Sequence, residues 1–381
     1  MLRMSAPQVV SWKWLRSGDE AFPAMLAEIN AARKSIRLET YTYTAGSLGR
    51  TFRDSLVKAQ NRGVAVLVLV DALGSLTLTH DFWTPLRQAG GQARFFNPLA
   101  LRRFEIRNHR KLLVCDESVA FVGGFNIAPE YEGDGVTRGW RDVGLRIEGS
   151  LAAELGESFD EMFELADFRH KRPVRFRRPQ IRRKAQYGGV QVLIGRPGIG
   201  LNPVKRALRR DLSRAETARI MVAYFLPTGR LRRVLRRSAT RDGDVQLILA
   251  GKSDVLLSQL AAQSLYRRLL KAGVKIHEYQ PQILHAKLFV LDDAVYIGSA
   301  NLDPRSLSIN YELTLRFENS CMAGEARVLF GDALKRCQQI EFEAWCRTRT
   351  FWAQLKRRWA YFLLARIDPY MARRQWRSLP D

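Results

Sequence analysis

Hydrophobic positions along the chain alternate between a helical period and a strand period. Over 21–34 the apolar residues fall on one helical face, and over 64–70 they form an unbroken run of strand length. Taken in order, the first half predicts strands near 9–14, 35–42 and 64–70 and helices over 21–34, 48–60 and 81–88. Strands that alternate with helices in this way predict a mixed α/β sheet with helices on both faces.

The second half of the chain repeats this order. Strands at 220–225 and 245–249 flank a helix over 231–240, and the turn Leu270–Gly273 matches the turn at 86–90. Self-similarity in the order of elements predicts two copies of one structural unit. We therefore expect an α/β fold of two pseudo-twofold-related repeats. Each repeat is a mixed β-sheet flanked by helices, and the active site lies at their interface.

Composition divides the chain into four segments. We predict an N-terminal repeat at 1–169, a basic linker at 170–187, a C-terminal repeat at 188–345 and a basic, aromatic tail at 346–381. The linker is rich in Lys, Arg and Pro, which fits either a solvated connection or an arm that contacts anions. The tail carries Trp352 and Trp359 at near-helical spacing among arginines. This spacing fits either a core-packing helix or a helix at a lipid interface.

The chain is strongly basic. Its 62 Lys and Arg residues exceed the 38 Asp and Glu residues, giving a net charge of +24 that favours a polyanionic partner. Nucleic acid and an anionic membrane surface both qualify. An insertion at 97–107, absent from the second half, contributes Arg102, Arg103 and Arg107, which we expect in a loop at the mouth of the site.

The sequence also predicts the setting of the protein. Its four cysteines form no C-x-x-C pair and have no histidines at zinc spacing, so we expect reduced thiols in a cytosol-facing protein. No apolar run approaches the roughly 20 residues of a membrane-spanning helix, and the first residues lack the apolar core of a signal peptide. An enzyme of this kind that uses lipid would act from the membrane surface.

One motif occurs once in each half of the chain. It reads His-x-Lys-x4-Asp, and its members are His109, Lys111 and Asp116 in the first copy and His285, Lys287 and Asp292 in the second. An asparagine follows each histidine after a second strand and a small-residue bend: Asn126, 126 − 109 = 17 positions on, and Asn301, 301 − 285 = 16 positions on. His and Lys two apart on a strand lie on the same face. Each copy therefore predicts half of a phosphate site.

Transfer at a phosphodiester needs a nucleophile, a proton donor and groups that neutralise the non-bridging oxygens. Two half-sites meeting at one phosphate supply all three without a metal or cofactor. One imidazole attacks and forms a phosphohistidine, while the other serves the leaving group. Lys111 and Lys287, with Asn126 and Asn301, are predicted to bind the oxygens. The sequence alone leaves open which imidazole attacks.

Two kinds of carboxylate accompany the motif. Asp142 and Glu312 occupy matching places after each copy and are candidates to orient the imidazoles, but the sequence leaves open which supports which. Asp116 and Asp292 complete the motif and are counted with the catalytic set. Each follows an apolar run at a turn, where Asp commonly bonds locally, so a supporting role is favoured over direct chemistry.

The doubled motif resembles the phospholipase D superfamily. Segments such as 38–41, 121–128, 146–149 and 298–306 extend the resemblance to bacterial cardiolipin synthases without transmembrane helices. That resemblance implies phosphatidyl transfer from phosphatidylglycerol to an acceptor phospholipid with release of glycerol, at the cytosolic face of the cell membrane. It also implies that His109 is the nucleophile. The family pattern also has glycine in the first small-residue bend and serine in the second, as Gly124 and Ser299 are here. By this resemblance both residues support the site.

Two other functions remain open from sequence. A phospholipase D-type phosphodiesterase would use the same groups to hydrolyse phospholipid or nucleic acid, with the positive charge steering the substrate. An inactive relative that only binds anionic lipid is the third possibility. Transfer requires the covalent intermediate to meet an alcohol before it meets water.

Overall fold

The structure is a computed structural model and describes residues 11–98, 106–166, 189–198, 202–348 and 350–371. Several sequence predictions lie outside these ranges. They concern Arg102 and Arg103, the basic linker at 170–187 and the end of the tail with Arg373 and Trp376.

The first repeat forms a mixed sheet of seven strands with the order β1-β7-β6-β5-β2-β3-β4. The strands are β1 Ser11–Leu15, β2 Ser35–Thr40, β3 Ala65–Asp71, β4 Gln92–Phe96, β5 Leu112–Cys115, β6 Val119–Gly123 and β7 Gly144–Glu148. The helices are α1 Gly18–Ala31, α2 Ser47–Asn61, α3 Thr84–Gln88 and α4 Leu151–Glu164. Strands β2, β3 and β4 are parallel, and the other pairings are antiparallel.

The second repeat forms a sheet of eight strands with the order β15-β11-β10-β9-β12-β13-β14-β8. The strands are β8 Val190–Gly195, β9 Thr217–Val222, β10 Asp244–Ala250, β11 Lys275–Tyr279, β12 Lys287–Leu291, β13 Ala294–Gly298, β14 Glu312–Glu318 and β15 Cys337–Gln339. The helices are α5 Pro203–Leu212, α6 Gly229–Ala239, α7 Leu256–Leu270, α8 Pro304–Ser308, α9 Ser320–Leu334, α10 Phe342–Arg347 and α11 Phe351–Phe362.

The two sheets have the same strand order once β15 is set aside. Strands β8, β14, β13, β12, β9, β10 and β11 take the places of β1, β7, β6, β5, β2, β3 and β4. The predicted α/β fold of two related repeats is therefore confirmed. In both repeats the motif strand, β5 or β12, lies at the centre of the sheet, between the first parallel strand and the second strand of the motif hairpin.

Three apolar layers hold the molecule together. One face of the first sheet packs against α1, α2 and α3, and one face of the second packs against α5, α6, α7 and α11. The third layer is shared by both repeats and contains α4 and α9 with the inner faces of both sheets. Because the shared layer fixes the two sheets against each other, it also fixes the relative position of the two motifs.

Some elements differ from the sequence prediction. The helix predicted over 81–88 is a 3₁₀ turn at His80–Trp83 followed by α3, since Pro85 is favoured only in the first turn of an α-helix. Helix α7 was not anticipated, because Ala, Ser and Gln separate its leucines and dilute the apolar stripe. Among the described residues, no helix combines the length and apolar character needed to cross a membrane.

Arg107 does not belong to an exposed loop at the site mouth. Its side chain is buried, its guanidinium lies 3.5 Å from the carboxylate of Asp71, and it donates to the carbonyl of Asn97 at 3.0 Å. Burial of a guanidinium is tolerated here because it is paired with a carboxylate and hydrogen-bonded. The expectation for this residue is thus corrected to an internal structural contact.

Candidate active site

Main-chain hydrogen bonds join the first motif to the second repeat. Asn108, immediately before the motif histidine, pairs in parallel with Tyr311. The backbone N–H of His109 donates to the carbonyl of Tyr311 at 3.0 Å, and the N–H of Tyr311 donates to the carbonyl of Arg107 at 2.9 Å. The approach to the first motif therefore runs alongside the residue that precedes Glu312.

The second motif makes the same contact with the first repeat. Leu284 pairs in parallel with Arg141, the N–H of His285 donates to the carbonyl of Arg141 at 2.8 Å, and the N–H of Arg141 donates to the carbonyl of Ile283 at 2.8 Å. Both pairings use equivalent positions, so they express the pseudo-twofold relation in hydrogen bonds. Arg141 precedes Asp142 in the chain, just as Tyr311 precedes Glu312.

Each imidazole is therefore bonded to the carboxylate of the other repeat. His109 Nδ1 lies 3.1 and 3.2 Å from the two carboxylate oxygens of Glu312. His285 Nδ1 lies 2.6 Å from Oδ2 of Asp142. All four side chains are buried. A carboxylate on Nδ1 favours the tautomer whose Nε2 lone pair is free to act, so this geometry resolves which carboxylate supports which imidazole.

The two lysines lie beside the histidines that precede them by two positions. Lys111 Nζ donates to the carbonyl of His109 at 2.7 Å, and Lys287 Nζ donates to the carbonyl of His285. Lys287 Nζ also lies 2.8 Å from Nδ1 of His285. The lysines act on each other electrostatically, and the charges of Lys111 and His109 both act on His285. The two half-sites thus share one electrostatic environment.

Burial shifts the ionisation of both lysines, both histidines and Asp142 toward the neutral form. It lowers the pKa of Lys111 to about 7, aided by the charge of Lys287, and it lowers the pKa of Lys287 to about 8. It raises the pKa of Asp142 to about 7, against the opposing attraction of Lys287. The pKa of His109 is lowered and that of His285 is lowered well below its usual range, in both cases first by burial. Neutral imidazoles are the forms that can attack phosphorus.

The asparagines are held by the backbone of the parallel strands. Asn126 Oδ1 accepts from the N–H of Thr42 at 3.0 Å, and Asn301 Oδ1 accepts from the N–H of Tyr224 at 3.3 Å. Both anchors stand two residues beyond the end of the equivalent strand, β2 or β9. An amide whose oxygen accepts from the backbone presents its NH₂ group as a donor, which is the polarity needed toward an anion. One of the two N–H donors of Asn126 is used by the hydroxyl of Tyr131, at 2.7 Å.

Gly124 and Ser299 shape the two carboxylate sites differently. A Cβ atom at Gly124 would lie 2.2 and 2.4 Å from the carboxylate oxygens of Asp142, so only glycine leaves room for this side chain. At the equivalent place Ser299 Oγ donates to Glu312 and accepts from the N–H of Leu313 at 3.0 Å. The bend with glycine therefore accompanies the shorter side chain, Asp142, and the bend with serine accompanies the longer one, Glu312.

Asp116 and Asp292 are not brought to the imidazoles. Asp116 accepts from the N–H groups of Lys34 and Ser35 at 2.7 and 3.0 Å, and Asp292 accepts from the N–H of Thr217 at 2.8 Å. Both adopt a positive φ, of 54° and 49°, in the turn of the motif hairpin. Because they lie at the far end of the motif strand, their inclusion in the catalytic set is corrected to a structural role. They join the hairpin to the start of the first parallel strand.

The structure also adds aromatic groups that no sequence pattern predicts. The hydroxyl of Tyr131 lies 3.2 Å from Nε2 of His285 and accepts from Asn126 Nδ2 at 2.7 Å. Trp140 packs beside the same imidazole, with ring centroids 5.6 Å apart. Tyr41 packs edge-on against His109 at 5.1 Å. Each of these residues is far in sequence from the histidine that it contacts, so only the fold associates it with that histidine.

A buried ionic network supports the first motif alone. Arg110 lies 3.1 Å from the carboxylate of Glu39, which also accepts from Asn108 Nδ2 at 2.6 Å. The positions equivalent to Arg110 and Glu39 in the second repeat are Ala286 and Met221, both buried in the shared apolar layer. The first motif thus packs against a buried ion pair, whereas the second packs against apolar side chains.

The arrangement contains the elements of phosphoryl transfer. Two oriented imidazoles supply a nucleophile and an acid–base group, and two lysines and two amides supply positive charge and hydrogen-bond donors. Within the described part of the chain, no group of three or more His, Cys, Asp or Glu side chains could hold a metal ion.

Comparison with known sequences gives one consistent family. The sequence model of the family described as "Cardiolipin synthase, PLD-like domain" matches residues 25–163 and 208–334. Cardiolipin synthase B of Salmonella typhimurium is 32% identical over 363 residues, which covers 92% of this chain and 86% of that protein. The major cardiolipin synthase of Bacillus subtilis is 31% identical over 352 residues, covering 90% of this chain and 72% of that protein.

Comparison with solved structures supports the fold. The crystal structure of phosphatidylserine synthase from Haemophilus influenzae matches with a TM-score of 0.70 and 16% identity, covering 95% of this chain and 94% of that one. Polyphosphate kinase from Porphyromonas gingivalis matches with a TM-score of 0.59 and 14% identity, covering 97% of this chain and 53% of that one. At these identities the likeness is one of fold alone.

Proposed function

This chain belongs to the cardiolipin synthase family of phospholipase D-like enzymes, and from that premise we propose that it transfers a phosphatidyl group from phosphatidylglycerol to an acceptor phospholipid. The chain is a phosphatidyltransferase of the phospholipase D superfamily. In the proposed reaction the donor lipid is phosphatidylglycerol, glycerol is released, and the intermediate is a phosphohistidine. The proposal also places the reaction at the cytosolic surface of the cell membrane.

The observation that carries this proposal is the pairing of each motif imidazole with a buried carboxylate of the other repeat. His109, with Glu312 on Nδ1, is the proposed nucleophile. In the first step its Nε2 forms a bond to phosphorus as the bond from phosphorus to the glycerol oxygen breaks. The His285–Asp142 pair holds the proton that the departing glycerol oxygen takes up.

The second step reverses these roles. A hydroxyl of the acceptor phospholipid gives its proton to the His285–Asp142 pair while its oxygen bonds to phosphorus, and the bond from phosphorus to His109 breaks. Lys111 and Lys287, with Asn126 and Asn301, are proposed to neutralise the non-bridging oxygens in both steps. Burial of the site, with Tyr131 against His285, favours an alcohol over water as the second nucleophile.

The test is to identify the products that the purified protein forms from vesicles of phosphatidylglycerol by mass spectrometry. We expect cardiolipin and free glycerol. Replacement of either motif histidine by asparagine should abolish both products. His80→Asn is the matched control, because His80 is exposed and lies outside the site. Phosphatidic acid as the main product would replace transfer by hydrolysis, and cleavage of single-stranded DNA without any lipid product would reject the lipid substrate.

A second measurement assigns the nucleophile. In a His285→Asn variant incubated briefly with phosphatidylglycerol, we expect an acid-labile, base-stable phosphatidyl adduct on the peptide that contains His109. An adduct on the peptide containing His285 in a His109→Asn variant, with none in the reciprocal variant, would reverse the assignment.

A further inference from the structure

A second basic site lies outside the catalytic centre, in the helical layer of the second repeat. A cavity of about 300 Å³ opens between α6, α7, α10 and α11. Five arginines line it: Arg232, Arg267, Arg268, Arg357 and Arg358. None of the described residues lining it is acidic. The carboxylate of Glu278 accepts from Tyr266 at 3.0 Å and from Gln263 at 3.4 Å, and the charge of Arg357 acts on it.

Two aromatic rings orient the arginines. The guanidinium of Arg357 lies 4.3 Å from the ring centre of Trp345, and that of Arg232 lies 5.3 Å from the ring centre of Tyr361. Stacking of this kind holds a guanidinium plane in place. Arg357 is held further by the hydrogen bond that its Nε donates to Gln263 Oε1 at 3.3 Å. Several cations around one opening repel each other, and a bound anion relieves this repulsion. Phosphate matches the fork of donors on arginine, and its several oxygens can accept from more than one guanidinium at once.

The solvent-facing side of α11 indicates where that phosphate comes from. Phe351, Trp352, Trp359 and Phe362 are exposed by 72%, 69%, 56% and 48%, although each is a large apolar side chain. The opposite side of α11 packs on the protein through the buried Ala360. An aromatic stripe beside arginines is the pattern of a helix that lies in the interface of an anionic membrane.

The chain beyond α11 makes a contact that links it to the surroundings of the catalytic histidines. The turn that follows α11 ends at an ion pair between Asp368 and Arg305, and the charge of Arg305 acts on Tyr41, which packs against His109. The first residues of α7, Leu256 and Leu257, are also exposed apolar side chains. We expect docking along α11 to hold Arg305 and the residues around Tyr41 close to the lipid surface.

We propose that the arginine-lined cavity between α6, α7 and α11 binds the phosphate of an anionic phospholipid while the aromatic face of α11 lies in the membrane interface. The bound lipid is not the reacting one, and the site serves to hold the enzyme on the bilayer. The choice of a lipid as ligand rests on the proposed function, whereas the preference of the cavity for a phosphate group does not.

The test replaces three exposed arginines of the cavity by glutamine, in the variant R267Q/R268Q/R358Q. The matched control, R206Q/R209Q/R214Q, removes the same charge from exposed positions in and just after α5 that do not line the cavity. Point variants are used because deletion of α11 would uncover the apolar surface of α7. Binding is measured by co-sedimentation with vesicles of phosphatidylcholine containing phosphatidylglycerol.

We expect the cavity variant to bind these vesicles about 100-fold more weakly, since each basic residue close to an anionic leaflet changes partitioning roughly fivefold. The control variant should lose less than about fivefold. Replacing Trp352 and Trp359 by alanine should weaken the part of the binding that persists at high salt, because apolar insertion is not screened. Equal binding by the cavity and control variants would overturn the proposal.

Two further measurements complete the test. The first distinguishes a lipid phosphate from free phosphate, and the second distinguishes failure of this site from failure of the proposed function. Inorganic phosphate at millimolar concentration should displace the protein from vesicles only weakly; strong displacement would show a site for free phosphate and overturn the lipid assignment. Turnover of a short-chain phosphatidylglycerol, dispersed as monomers, should be the same in the cavity variant and the unaltered protein. Vesicle binding that depends on the arginines without any cardiolipin formation would reject the proposed function and leave this site standing.

Discussion

At the residue scale, the two motif histidines differ through their neighbours and not through the motif itself. His109 has a glutamate, a serine-supported carboxylate site and an edge-on tyrosine, whereas His285 has an aspartate, a glycine and the hydroxyl of Tyr131 at 3.2 Å. Chemically identical side chains in different environments acquire different basicity and access. The division of labour between them is therefore expected to follow the carboxylates and the small-residue bends.

The variant Gly124→Ser tests whether the bend beside Asp142 requires glycine. The new Cβ would fall within 2.2 Å of the Asp142 carboxylate and displace it from His285. We expect turnover to drop on the order of 10²-fold, the usual contribution of a positioned acid–base group. Ser299→Gly is the matched change and should cost only about tenfold, since Glu312 keeps His109 and loses a single donor. Full activity of Gly124→Ser would contradict this account.

Loss of charge on the two lysines is expected to determine how kcat/KM falls at alkaline pH. With pKa values of about 7 for Lys111 and about 8 for Lys287, both lose their charge as pH rises through this interval. The free enzyme then binds the phosphodiester anion less well, so kcat/KM should fall by up to roughly tenfold per pH unit between pH 7 and 8 and by up to roughly 100-fold per pH unit above pH 8. Once bound, the phosphate raises both pKa values, so kcat should change less. Steady-state kinetics across this range check the prediction, and a flat kcat/KM would refute it.

At the scale of elements, the motif strands are equivalent in the sheet but not in what lies around them. The start of β5 rests on a buried pair, Glu39 and Arg110, where β12 has the apolar Met221 and Ala286. Breaking a buried pair by removing one partner leaves an uncompensated charge, whereas replacing both by apolar groups is often neutral. The second repeat already has apolar residues at both equivalent positions, so its sequence shows which replacements to test.

Arg110→Ala should lower the free energy of unfolding by about 3–5 kcal/mol, because it leaves the Glu39 carboxylate buried without its cation. The double variant E39M/R110A, which copies the second repeat, should recover most of that loss. Chemical denaturation followed by circular dichroism measures both values. A double variant as unstable as the single one would show that the pair itself, and not the unpaired charge, determines stability here.

At the scale of the whole molecule, neither repeat is complete alone. Each histidine receives its carboxylate from the opposite repeat, and two equivalent backbone bridges hold the segments in register. The shared apolar layer of α4, α9 and the inner sheet faces fixes the distance over which these contacts form. Assembly of the site is therefore coupled to docking of the two repeats.

This arrangement predicts different effects for the two carboxylates. Glu312→Gln should slow formation of the adduct on His109, and Asp142→Asn should slow its transfer to the acceptor in addition to the departure of glycerol, each by on the order of 10²-fold or more. Single-turnover experiments that follow the adduct and the product separately measure both rates. Accumulation of the adduct is expected only in Asp142→Asn. Accumulation in Glu312→Gln instead would exchange the proposed roles of the histidines.

Sequence by itself determined the repeated α/β architecture and the inventory of the site. Hydrophobic periodicity is a local property, so the order of strands and helices in both halves follows from it, as in the agreement between the predicted strand at 64–70 and β3. The motif fixes His and Lys on one face of a strand, and its repetition predicted one site built from two halves. These features depend on residues close together in the chain.

Only the tertiary structure decided the contacts between distant residues. The pairing of His109 with Glu312 spans 203 positions, and that of His285 with Asp142 spans 143. The approach of Tyr131 to His285, the burial of Arg107 and the packing of α11 on α7 likewise depend on how the two repeats and their helices meet. Local periodicity carries no information on that register. It is set by the fit of the shared apolar layer and by the hydrogen bonds that cross it.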